Sequence, residues 1–201
     1  MGEKTISLEA DPTFEQIEAA GGTVDKQANP HTVLDNLFLI SGHIPRTTAY
    51  ETGLKGAVRF DCDENDWFSD ELIADERFLM CNVKGACLCG SNLPVCINSH
   101  AYFADKGIVV FTGCSHAGVV NTARHAVDLL GRSTPLHAIV GGFHLATSDG
   151  EHVSKTVKDL KRLDPAVLLP GHCTGWRAKF AIEKAMAGSL VPCTVGVKIT
   201  F

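Results

Sequence analysis

The sequence is short of three things: long apolar runs, basic charge and a leader-like start. No stretch of its 201 residues approaches the roughly 18 consecutive apolar residues of a membrane span, so no membrane association is expected. The formal net charge is −5, which leaves no basic footprint for nucleic acid. Residues 1–10 lack the charged-then-apolar layout of a signal peptide. Ile6 stands where a myristoylation motif starting at Gly2 requires Ser or Thr. A cytoplasmic protein is the expectation. In that reducing compartment the eight cysteines are thiols or metal ligands rather than a disulfide framework. Asp61, Asp63, Glu64, Asp66 and Asp70 crowd one stretch, but the glycine and closing glutamate of a calcium loop are missing. That stretch reads as a solvated acidic loop.

What is present points to one globular domain, since 45% of residues are hydrophobic and 20% charged. The stretch around which it is organised is Lys106–Asn121. Ile108–Phe111 is a β-branched apolar run and reads as a buried strand. Thr112 and Gly113 end it, Cys114, Ser115 and His116 follow, and a helical pattern opens at Gly118. Strand, sharp turn and helix place a side chain at the mouth of an α/β sheet. Leu136–Val140 repeats the pattern, ending in Gly141, Gly142, Phe143 and His144. Ala166–Leu169 repeats it again, ending in Pro170, Gly171, His172 and Cys173. The three histidines are spaced 28 residues apart each time. Three imidazoles past the ends of three buried strands can converge on one sheet edge, which is what a zinc site needs. The alternative is three unrelated turn histidines.

TGCSHAGVVN, VGGFHL and PGHCTG resemble three motifs of the metallo-β-lactamase superfamily, in the branch of the dihydropterin–ribofuranosylaminobenzene phosphate synthases and related metal-dependent hydrolases. SGHIPRTTAYETG (Ser41–Gly53) resembles a fourth, and the four occur in that branch's order. The resemblance implies an α/β fold, the metallo-β-lactamase αββα sandwich, with one or two zinc ions. It implies metal-ligand roles for His116 and His172, and a bridging or supporting role for His144. It makes Ser41–Gly53 a substrate-side loop, with Arg46, Thr47, Glu51 and Ser115 as substrate-binding candidates. The bland reading of Arg46 is a surface arginine paired with Glu51. The superfamily's leading metal motif, His-x-His-x-Asp-His, has no counterpart: the nine histidines contain no His-x-His pair. The chain is therefore expected to be a partial, N-terminally truncated form of the fold. The remaining apolar sheet face then calls for a homo-oligomer or a partner supplying the missing half.

Elsewhere, Thr13 and Gln16 form a capping box for a helix over 13–20, ended by Gly21-Gly22. Thr32–Ile40 reads as a turn at Asp35-Asn36 followed by a strand. Ala57–Phe60 and Glu76–Val83 read as strands, and Asp70–Asp75 as one helical turn. Residues 86–105 interrupt the pattern and read as an insertion between two hairpin strands. They hold Cys87, Cys89, Cys96 and His100, a zinc-site candidate of unfamiliar spacing. Helices are expected over Gly118–Leu130, Gly150–Leu163 with Asp149 as cap, and Gly175–Ala187 with Thr174 as cap. Val195–Phe201 alternates as an edge strand should. Cys114 beside His116, and Cys173 beside His172, are a weaker Cys/His nucleophile candidate.

Three functions stand. The first is a zinc-dependent hydrolase or related transferase acting on a small, possibly phosphate-bearing molecule. The second is a non-catalytic binding module of the same fold. The third is a zinc or thiol protein built on the 87–100 cluster.

Overall fold

The computed structural model describes residues 11–61, 63–84 and 105–201. The cysteine cluster at 87–100 lies outside the described residues. Phe14–Ala19 is α1, closed by the expected capping box: the Thr13 hydroxyl accepts from Gln16 N at 3.2 Å and the Gln16 side chain accepts from Thr13 N at 2.8 Å. Strands β1 (His31–Val33) and β2 (Phe38–Ile40) pair antiparallel. Their connection turns through Leu34, Asp35 and Asn36, all in the left-handed region at φ 53°, 53° and 64°.

Strands β3 (Val58–Asp61) and β4 (Asp66–Ser69) form a separate two-stranded hairpin. This corrects the reading of 61–70 as a loop. The Asp61 carboxylate accepts from Asp63 N and Glu64 N at 3.1 and 3.3 Å and closes the turn. The Phe60 and Trp67 rings meet across the strands at 5.3 Å, which fixes the register. Asp70–Asp75, expected as a helical turn, instead runs through successive turns with Ile73 at φ 45°.

Among the described residues the main sheet holds six strands in the order β1-β2-β5-β6-β7-β8. Its centre is β5 (Phe78–Lys84) antiparallel to β6 (Asp105–Thr112), followed by β7 (Leu136–Gly141) and β8 (Val167–Pro170), both parallel to β6. Helices α2 (Val119–Leu129), α3 (Gly150–Leu163) and α4 (Trp176–Ala185) return the chain between and after the parallel strands. Asp149 caps α3 as expected, its carboxylate accepting from His152 N at 2.8 Å.

Side chains alternate across the strands and divide the apolar residues into two layers. Met80, Ile108, Val110, Ile139 and Leu168 pack under the helices against Val120, Ala123, Leu160 and Ile182. Each of these is fully buried, so truncating one of the larger ones to alanine costs about 2–5 kcal/mol. Val109, Ala138 and Leu169 point to the other face, where Cys193, Ile199 and Phe201 cover them in part.

Two further expectations are corrected at the C-terminal end. Val195–Phe201 is not an edge strand. The free edge of β8 is already taken: Leu168 N donates to Ser189 O at 2.7 Å and Val191 N donates to Leu168 O at 2.8 Å. The last residues lie across the second face instead. Thr174 does not cap α4. Its hydroxyl accepts from Phe143 N at 3.2 Å, and Gly175 occupies the cap position without a side-chain bond. Among the described residues no helix is long and apolar enough to cross a membrane.

Candidate metal centre

Because β6, β7 and β8 are parallel, their C-terminal ends share one edge of the sheet, and the three turns after them are laced together there. Gly142 N donates to Gly113 O and Gly171 N donates to Gly141 O, each at 2.7 Å. Gly141 permits this approach: at φ 140°, a Cβ would lie 2.1 Å from the Thr112 carbonyl. Ser115 and His144 sit in the left-handed region at φ 60° and 48°. Neither is glycine, and such strain concentrates where side-chain position matters.

On this edge the side chains gather in two neighbouring groups. In the first, the His116 and His144 rings lie 4.6 Å apart, centre to centre. Glu76 holds His116: its carboxylate lies 3.2 Å from Nδ1, and it accepts from His116 N at 2.9 Å and Ala117 N at 2.6 Å. The tautomer that donates from Nδ1 to Glu76 leaves Nε2 as a free lone pair, the arrangement common to metal-ligating histidines. His144 Nδ1 is buried without a hydrogen-bond partner among the described residues. Burial and the neighbouring His116 lower the pKa of His144, favouring the neutral, ligating form.

In the second group, Cys114 Sγ lies 3.0 Å from His172 Nε2, and Cys173 Sγ completes a set whose ligand atoms all fall within 4.8 Å of one another. Burial, with the Cys173 thiol beside it, pushes the Cys114 thiol up to about 11. Thus His172 sits with the two cysteines, while His116 sits with His144 and Glu76. The donor set, an orphaned buried imidazole nitrogen and paired half-buried thiols, suits a borderline-soft divalent ion.

The Ser41–Gly53 loop lies against this edge. Arg46 Nη1 donates to the His116 carbonyl at 3.1 Å, and its other amino group donates to the Leu72 and Ile73 carbonyls. It makes no ion pair with Glu51. Thr47 N donates to Asn121 Oδ1 at 3.1 Å. Both residues fasten the loop. Glu51 is buried at the start of α2, where its two oxygens accept from Val120 N and Asn121 N at 2.8 Å each. It supplies the cap that Gly118 cannot, and its charge complements the helix dipole. Burial nevertheless raises its pKa to about 7. Glu51 and Ser115 line a cavity of about 250 Å³ together with Lys55, His116, His144 and His152.

Sequence reasoning missed Glu76, which reads only as the polar start of a strand. Cys114 and Cys173, weak nucleophile candidates by sequence, belong to one cluster with His172. Their signal was present: each directly flanks a motif residue, on turns that parallel strands place side by side.

No family model matches the chain. Among solved structures, a metal-dependent hydrolase of the beta-lactamase superfamily superposes with a TM-score of 0.72 at 20% identity, covering 94% of this chain and 62% of its own. The chain has the metallo-β-lactamase fold. Two curated proteins are similar in sequence over part of the chain. Over 79 residues, 39% of the chain, it is 37% identical to the 7,8-dihydropterin-6-methyl-4-(beta-D-ribofuranosyl)-aminobenzene-5'-phosphate synthase of Methanocaldococcus jannaschii. Over 145 residues, 72% of the chain, it is 26% identical to an uncharacterized protein of the same organism. It spans 26% and 43% of the lengths of these two relatives.

Proposed function

We propose that this chain serves metal-dependent hydrolysis, or a related group transfer, on a small phosphate-bearing molecule. The observation that carries the reading is the His116–His144 pair beside the 250 Å³ cavity, on the same sheet edge as the Cys114, His172 and Cys173 group. Imidazole and thiolate donors favour zinc. A bound zinc ion supplies Lewis acidity and lowers the pKa of water towards neutrality. The chain's own part is to orient His116 through Glu76, to keep His144 neutral by burial, and to hold the substrate.

The cavity lining supports an anionic substrate. Lys55, Thr52, Thr147 and Ser148 offer one cation and three hydroxyls. The start of α2, a ready anion site, is already occupied by the Glu51 carboxylate, so the phosphate lies towards Lys55 and Ser148 instead. The synthase relative carries a 5'-phosphate in its name. Free thiols at Cys81, Cys114, Cys173 and Cys193 suit the reducing cytoplasm.

The test is turnover of phosphodiester and lactone substrates by zinc-loaded protein, wild type beside His116→Ala. Turnover that falls at least a hundredfold in the variant is expected. Full zinc occupancy without turnover of any of these substrates would overturn the enzymatic reading and leave a binding module.

A further inference from the structure

We propose that Cys114, Cys173 and His172 form a thiolate metal site of their own, a Cys2His centre for one zinc-like divalent ion. This deepens the reading above, because it assigns ligands to an ion that reading requires, but it is decided by a separate readout.

The geometry is close to that of a bound ion. A tetrahedral zinc with bonds of about 2.3 Å to sulfur and 2.0–2.1 Å to nitrogen needs about 3.5 Å between S and N and about 3.8 Å between the sulfurs. Here the three ligand atoms lie within 4.8 Å of one another, and Cys114 Sγ is 3.0 Å from His172 Nε2. A spread of about 0.5 Å makes that edge tetrahedral. The ligands come from two different turns, those after β6 and β8, which the parallel pairing through β7 holds at fixed spacing.

The surroundings are shaped for the cluster. His144 N donates to Cys173 Sγ at 3.3 Å, and Sγ reaches the Cys114 carbonyl at 3.5 Å, so the sulfur is held in place between the turns. Gly142 forms the floor: a Cβ there would lie 2.4 Å from Cys173 Sγ and 2.8 Å from His172 Cε1. Both cysteines are half-buried while His172 is exposed, so an ion has a path in and water can fill the fourth position. Two thiolates also neutralise a divalent charge, which the histidine group beside them does not.

The experiment uses the full, reduced, metal-stripped chain and Co²⁺ alone as probe, followed by Zn²⁺. A near-ultraviolet thiolate-to-cobalt charge-transfer band is expected, removed by one equivalent of Zn²⁺. Cys114→Ser/Cys173→Ser should lose the band and bind Co²⁺ at least tenfold more weakly. Cys87→Ser/Cys89→Ser/Cys96→Ser should keep it, and so should His116→Ala. Should the Cys114/Cys173 variant fail to fold, wild type decides through alkylation: Zn²⁺ should slow modification of Cys114 and Cys173, read by peptide mass, and leave Cys81 unchanged. A band that is absent from wild type, or that survives loss of both cysteines, overturns the proposal, as does equal alkylation with and without Zn²⁺. The band without turnover leaves this site standing and removes the hydrolase reading. Turnover without the band does the reverse.

Discussion

Glu76 grips His116 at both ring and backbone: one carboxylate oxygen lies 3.2 Å from Nδ1 and accepts from the backbone N–H at 2.9 Å, while the other accepts from Ala117 at 2.6 Å. One side chain therefore fixes the turn and the ring it carries. The two residues are 40 positions apart, on β5's approach and β6's exit.

Replacing Glu76 should cost twice over. Glu76→Ala leaves two partly buried amides without acceptors, a loss of about 1–3 kcal/mol. It also frees the His116 ring, which should lower kcat/KM by roughly 10- to 100-fold. Glu76→Gln keeps one acceptor and should recover part of the stability. Thermal melts and steady-state kinetics check both; a variant melting with wild type would show that the clamp bears no weight.

Gly142→Ala should disturb the thiol cluster while sparing the helices, since the new methyl must displace Cys173 Sγ. At least a tenfold loss of Co²⁺ affinity with unchanged far-ultraviolet circular dichroism is expected. Gly150→Ala is the control. Its Cβ meets nothing within 4 Å in the first turn of α3, and it should bind Co²⁺ as wild type does.

Glu51 sets a pH dependence of stability. Its folded pKa of about 7 stands above its ordinary 4.5. Between those values the folded chain keeps a proton that the unfolded chain releases, so stability from this group is full below pH 4.5 and is lost as pH rises towards 7. The swing is about 3 kcal/mol at most. His144, with its lowered pKa, works in the opposite direction, so the difference between wild type and Glu51→Gln isolates the carboxyl. Urea midpoints at pH 5 and pH 7 measure it. Parallel behaviour of the two proteins would assign the proton elsewhere.

The second face of the sheet should associate. Phe111, Val140 and Val167 are only partly covered there, and Ile199 and Phe201 supply part of the cover. Concentration-dependent light scattering is expected for the full chain, from pairing with a second copy or with a partner that supplies another layer. Deleting residues 195–201 should strengthen both association and binding of an apolar dye. A monomer over a hundredfold concentration range would count against a sticky face.

The parallel strands and their helices were legible because periodicity and turn chemistry agree there. The β-branched run Ile108–Phe111 and the 3.6-residue stripe Val153, Val157, Leu160 each allow one reading. The β3–β4 hairpin was hidden because the acids of 61–70 mask Trp67 and Phe68, whose pairing is what makes the strand. Val195–Phe201 misled for the opposite reason. Its alternation is real, but Ser189–Val191 had already satisfied the edge of β8, and no sequence pattern reports an edge as taken. At the site, the histidines were visible as a spacing. The Cys114–His172 contact and the Glu76 clamp join residues 58 and 40 positions apart, and they exist only once strand register is set.

The register of β5 with β6 has a practical consequence. The pair closes at Lys84 opposite Asp105, while the chemistry gathers beyond Thr112 at the other end of β6. Seven residue steps of strand separate them, about 23 Å. That exceeds the roughly 8 Å screening length of physiological salt several times over. The reactive edge is therefore electrostatically independent of whatever charge the far end of this strand pair carries.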